Sequence, residues 1–282
     1  MKFLKSWFSL FVLSQLIFIP SQVIAGGKLI GTSGGTQIEG SGGGGLVPWA
    51  TLSGYGTRDE KSVTTFFSAV SVDDFRMTSY GASYTYHDRI EVSFAHQSFK
   101  SGDKKTDLSQ DIIGLKVRLF GDLVYTPWPQ VALGAQFKNA NNTDDNQFLG
   151  AKNNQGVDYY FAATKAWLDG PFHRSFVLNT TLRYSKANQL GLRGFGGDKQ
   201  SSYKSLLEAS AGVFITRYWM LGVEYRQKPD LLRAAKEDDW KDIFVTFFPN
   251  KTAALSFAFV DLGRIDGKEK QSGAYLSLQL TY

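Results

Sequence analysis

The 282-residue chain has no cysteine, seven prolines and three histidines, His87, His96 and His173. Without cysteine there is no disulfide, so stability has to come from burial and backbone pairing. Three scattered histidines without thiols leave no zinc site, and no metal or other cofactor is expected. Net charge is small, at +5, too weak and too dispersed for nucleic acid. Long apolar runs are also missing. The one candidate, 7–19, follows Lys2 and Lys5 and is broken by Pro20. It falls short of the ~20 residues that a spanning helix needs. Its three-part build is that of a secretory signal peptide, with cleavage between Ala25 and Gly26. The expected organisation is a signal peptide at 1–25, a Gly-rich segment at 26–46 and an outer-membrane β-barrel at 47–282.

What the chain does have is aromatics, with 22 Phe, 13 Tyr and 6 Trp, and a period of two. Ala274, Leu276, Leu278, Leu280 and Tyr282 alternate with Tyr275, Ser277, Gln279 and Thr281. Ile113, Leu115, Val117 and Leu119 alternate with Gly114, Lys116 and Arg118. Further segments near 131–137, 178–185 and 221–226 repeat the pattern. That is the strand period. One face is apolar and the other is Gly, Ser, Thr, Gln or charged, which suits either a soluble sandwich with an apolar core or a membrane barrel with lipid outside and a polar lumen inside, and alternation alone does not separate the two. The segments also approach the ~9–11 residues that a tilted spanning strand needs.

Thirteen candidate strands follow the Gly-rich start, at 47–57, 62–72, 75–86, 89–99, 109–120, 128–138, 156–168, 173–186, 202–216, 218–227, 239–248, 252–263 and 271–282. Their connections sort into two classes. Short ones at 58–61, 87–88, 121–127, 169–172, 217 and 249–251 alternate with mostly long ones at 100–108, 139–155, 187–201, 228–238 and 264–270. Only 73–74 is short in the second class. Short turns on one side and long loops on the other are the asymmetry of outer-membrane barrels. Bacterial barrels of one chain have even strand numbers. The thirteen therefore become fourteen if 28–39 adds a strand, the preferred count, or twelve if one is miscounted. Half of residues 26–45 are glycine, and an internal plug is a third use for that stretch. The fold class is thus all-β, one transmembrane antiparallel barrel of 12–14 strands.

Trp128, Trp167 and Trp219 lie beside short turns, and Trp49 and Trp240 beside the long-loop side, as two interfacial aromatic bands would require. Tyr282, with Leu280, Leu278 and Tyr275 behind it, resembles the C-terminal signal read by the outer-membrane insertion machinery. The other expected partners are outer-membrane lipid and lipopolysaccharide.

The chain also resembles a proteobacterial family known as a domain of unknown function. The resemblance runs over nearly the whole mature chain, through GGGGLVPWATLSGYGTRDE (42–60), VDDFRMTSYG (72–81), QDIIGLKVRLFGD (110–122), ANQLGLRGFGGD (187–198), EYRQKPDLLRAAKEDDWKDIFVTFFPNK (224–251) and GAYLSLQ (273–279). It implies a secreted, barrel-like protein and carries over no activity and no functional residue.

Charges on the polar face are Glu91, Lys116, Arg118, Arg183, Glu208, Glu224, Arg226 and Asp242. Facing lipid at mid-bilayer, an Arg or Lys costs ~2–4 kcal/mol, so all eight are expected to line the lumen. The preferred reading is a passive porin-like pore for small solutes, not an enzyme. The alternatives are a non-conducting structural or lipopolysaccharide-binding barrel and, further off, a barrel hydrolase. His87 before Asp88, and His173 near Ser175, show no spacing of nucleophile and base. In the loop at 228–239, residues 231–236 suggest one helical turn before Glu237, Asp238 and Asp239. That acidic triplet could hold a divalent cation, although the spacing is not that of a calcium loop.

Overall fold

The computed structural model describes residues 27–102 and 106–282, with side chains for all of these but 143–145. The signal peptide, with Ala25 and Gly26, lies outside the described residues. Two short strands, β1 (Gly35–Thr36) and β2 (Gly42–Gly43), pair with each other. Twelve longer ones follow. These are β3 (Lys61–Val72), β4 (Phe75–Tyr86), β5 (Ile90–Ser101), β6 (Asp107–Phe120), β7 (Gln130–Ala140) and β8 (Gln155–Trp167). The rest are β9 (Phe176–Ser185), β10 (Lys204–Phe214), β11 (Trp219–Arg226), β12 (Trp240–Phe247), β13 (Ala253–Asp261) and β14 (Ser272–Thr281). Each pairs antiparallel with its sequence neighbour, and β14 closes on β3 through Ser277 opposite Ser68. The product is a closed up-and-down barrel of twelve strands. Closure leaves no strand edge unpaired.

The alternation is inverted relative to a soluble protein. Ser68, Ser79, Gln97, Gln136, Thr181 and Glu208 are fully buried on the inner face. On the outer face Ile113, Leu182, Ile243 and Phe259 are 56, 56, 60 and 63% exposed. Burying such a side chain is worth ~1.5–3 kcal/mol over leaving it in water. Such an exterior forgoes that stabilisation in water and would keep it against hydrocarbon. The apolar band stops at the long-loop side, where Arg76, Lys100 and Asp107 stand exposed at strand ends.

Three expectations are corrected. Residues 47–57 do not form a barrel strand. They lie inside the barrel, continuous with the Gly-rich segment, and Leu46, Val47, Trp49 and Leu52 are buried there. Closure of β14 on β3 leaves no edge for a further strand to join. Trp49 and Trp240 are interior side chains, not an outer aromatic band. The outward aromatics on the long-loop side include Phe137, Tyr159, Tyr184 and Phe259, with Tyr203 stacked on Tyr184 at 4.7 Å. Trp128, Trp167 and Trp219 are exposed beside the short turns. Residues 231–236 form no helical turn. Leu231, Leu232 and Ala235 are drawn into the loop packing, Leu232 and Ala235 against Ala151, and burial overrides the local helical preference. A short helix, α1 (Thr143–Phe148), forms in the neighbouring loop instead.

Candidate functional site: a filled lumen

Residues 27–57 occupy the lumen. An enclosed backbone must find partners for every N–H and C=O, and this one finds many of them on the barrel wall. Glu91 of β5 accepts from the Gly42 and Ser53 amides at 3.1 and 2.7 Å and from the Ser41 and Ser53 hydroxyls. Glu224 of β11 accepts from the Leu46 amide at 2.7 Å, and Thr164 of β8 from the Ala50 amide at 2.8 Å. Plug carbonyls receive wall donors in turn. Lys116 donates to Gly42 and Thr51, Gln130 to Ala50, Thr181 to Pro48, and both Ser79 and Gln97 to Ile38. The plug therefore has little regular structure of its own and borrows its pairing from nearly all sides of the barrel.

This close approach explains the glycines. A Cβ on Gly44 would stand 1.9 Å from Glu224 Oε1, and one on Gly43 would stand 2.5 Å from the Val47 carbonyl. No side chain fits where backbone touches backbone or carboxylate.

Glu39 is the plug's one fully buried carboxylate, and three cations from three strands converge on it. Arg226 Nη2 lies 2.8 Å away, Arg183 Nη2 3.5 Å away, and Lys138 of β7 donates a close hydrogen bond. Two wall acids complete the cluster. Asp158 of β8 is 2.6 Å from Lys138, and Glu208 of β10 is 2.6 Å from Arg183 and 3.2 Å from Arg226. Burial alone would raise the Glu39 pKa. The charges of Arg226, Lys138 and Arg183 outweigh it and hold the carboxyl well below the usual range. Its contribution to stability is complete above the ordinary value of 4.5 and is lost only as pH falls far below that.

The eight charges read from alternation are all buried on the inner side. Arg183, Glu208 and Arg226 belong to the Glu39 cluster. Glu91 and Lys116 form a separate pair at 3.4 Å. Arg118 sits near the short turns, bound to Asp88 and to Asp122. Glu224 and Asp242 face each other across β11 and β12 with no cation between them. Ser210 donates to Glu224, while Asp242 Oδ1 has no hydrogen-bond partner. Three members of the main cluster were missed. Lys138 and Asp158 continue the alternation of their strands and could have been found by extending it. Glu39 has no such signal, because its segment has no strand period.

The two ends of the lumen differ. At the long-loop end the connections fold inward, and Leu190, Leu192, Phe195 and Ile265 are buried. Phe195 is tied by bridges to Asn153 and Ala187. The cavity left there is about 20 Å³, room for a single water. Glu237, Asp238 and Asp239 do not converge on a cation site. Glu237 pairs with Lys228 at 3.2 Å, Asp238 with Arg264 at 2.7 Å, and Asp239 accepts from the Tyr225 hydroxyl at 2.5 Å. At the short-turn end a cavity of about 570 Å³ opens outward, floored by Ile30 and Trp49. His173 there is exposed beside Asp169 at 3.2 Å, while Ser175 donates to the Leu168 carbonyl. His87 stacks on Tyr86, and Asp88 is engaged by Lys28 and Arg118. Among these described residues no nucleophile meets a base.

The fold and its interior define a self-plugged β-barrel with an apolar exterior. The chain belongs to the family described as "Protein of unknown function (DUF3034)", which matches residues 32–279. No curated protein matches it. Among solved structures it is similar to the KdgM porin, at 7% identity and a TM-score of 0.47 over 78% of this chain and 99% of that one. It is similar to Omp33 of Acinetobacter baumannii, at 8% and 0.48 over 80% and 100%. It is also similar to outer membrane phospholipase A from Escherichia coli, at 8% and 0.42 over 82% and 95%. Likeness at this level says nothing of what this chain does.

Proposed function

We propose that the protein is an outer-membrane β-barrel held shut by its own N-terminal segment, a structural or binding barrel that does not conduct at rest. The observation that carries this is the wall-to-plug bonding centred on Glu39. An open diffusion pore for small solutes would require residues 27–57 to leave the lumen. That means separating a buried carboxylate from Lys138, Arg183 and Arg226, and removing one partner of a buried ion pair costs ~3–5 kcal/mol.

The membrane setting is supported by the exposed Leu, Ile and Phe band over a closed barrel, since only closed barrels satisfy all strand hydrogen bonds in lipid. Lipid and lipopolysaccharide are then the surrounding partners. Leu278 and Tyr282 are exposed on the outer face of β14, and Leu280 follows the same alternation, which suits a signal read during insertion. Tyr275 is buried inside, with Ser68 within hydrogen-bonding distance.

Planar bilayers carrying the purified, heat-modifiable protein test the reading. The expected record is silent, with rare openings at most. Steady stepwise conductance from the unaltered chain, changed by Lys116→Glu or Arg118→Glu, would overturn it in favour of a passive pore.

A further inference from the structure

The cavity at the short-turn end is a built site. Its floor and walls are apolar: Ile30, Trp49, Leu123, Ala166, Val177 and Phe214. Four cations line it, Lys28, Arg174, Arg217 and Lys251, of which Lys28 is paired with Asp88 at 2.7 Å. Among the described residues that line it, none is acidic. Trp49 is locked by its Nε1–H to Ser210 at 3.0 Å, and Phe214 packs on Phe248 at 6.1 Å, so the floor is pre-formed. A volume of about 570 Å³ lies within the ordinary range of small-molecule pockets.

We propose that this vestibule binds a single-chain anionic amphiphile, its head on the guanidiniums of Arg174 and Arg217 at the rim and its tail against Trp49, Val177 and Phe214. Apolar depth selects an aliphatic chain, because burying methylenes is the main source of affinity. The rim selects the head. A guanidinium fork holds a carboxylate or a phosphate with paired hydrogen bonds, and two guanidiniums at the rim repel a cationic head. A neutral head of the same chain length gains the burial without the charge. The floor is part of the plug, so the site rests on the plugged reading and exists only while residues 27–57 are seated.

The test is photolabelling of the full chain in lipid nanodiscs with a diazirine-bearing fatty acid, mapped by peptide mass spectrometry. Label is expected on 27–32, 166–177 and 214–217. Dodecanoate or dodecyl phosphate should compete, the stronger of the two identifying the head, while dodecanol should compete more weakly and dodecyltrimethylammonium should not. The exposed pair Arg174→Glu and Arg217→Glu should reduce vestibule labelling about tenfold, with heat-modifiable migration retained, and Arg174→Lys with Arg217→Lys should restore most of it. Ala166→Phe, which narrows the cavity behind an intact rim, should also reduce it. Label confined to the outer apolar band, equal competition by dodecanol, or indifference to the charge reversal would each overturn the proposal.

Discussion

At the long-loop end of the barrel, the described chain folds inward around a water-sized void. At the short-turn end the connections are shorter on the whole and do not close the mouth, and a cavity of about 570 Å³ stays open above the plug. Between them the plug is fastened by polar bonds to the wall and by the packing of Ile38, Leu46, Val47 and Trp49 against it. Loop length thus decides which mouth can close itself, and bonding and packing to the wall hold the middle.

The comparison breaks most directly at Glu39. Glu39→Ala leaves Lys138, Arg183 and Arg226 facing only Asp158 and Glu208, and should destabilise the plugged state by ~3–5 kcal/mol. Bilayer openings should become frequent, and Glu39→Gln should lie between it and the unaltered protein. Because the Glu39 carboxyl is held so far down, the unaltered plug should stay seated through mild acid. Next in size is Phe195→Ala at the long-loop seal, worth ~3–5 kcal/mol locally where a large buried ring is lost. Amide exchange should rise in 187–201 and not in the plug. A rise spread equally through residues 27–57 would show the two regions to be one unit.

Gly44→Ala sharpens the account of the glycines. The new methyl would meet a Glu224 carboxylate held by Ser210 and the Leu46 amide, a misfit of ~1–3 kcal/mol read as a lower unfolding temperature. The smallest expected effect is on pH. Burial pushes Glu237 up to about 7, against the pull of Lys228. A raised carboxyl stabilises the fold fully below its ordinary value of 4.5, and that contribution fades as pH rises through about 7. Exchange in 228–239 should therefore quicken from pH 6 to pH 8 beyond its intrinsic increase, and Glu237→Gln should flatten the change.

Much of this was legible in the sequence for one physical reason. A strand with lipid on one side and a lumen on the other must alternate, so Ile113, Lys116, Leu182 and Arg183 announce their faces locally. The sorting of short and long connections was equally visible. Residues 47–57 misled, because Val47, Trp49 and Leu52 read as strand material. A buried plug and a spanning strand draw on the same apolar residues. The helical turn expected at 231–236 failed for a similar reason, since packing of Leu231, Leu232 and Ala235 outweighed local preference.

The sequence by itself determined the period, the polarity of each barrel face and which side carries the long loops, because these depend on residues next to each other in the chain. Only the tertiary structure decided that twelve strands close and that the glycine-rich segment goes inside. Glu39 meets Lys138, Arg183 and Arg226 across separations of about a hundred residues or more. Nothing local encodes that meeting, which exists only once β14 has paired with β3 and the lumen is enclosed.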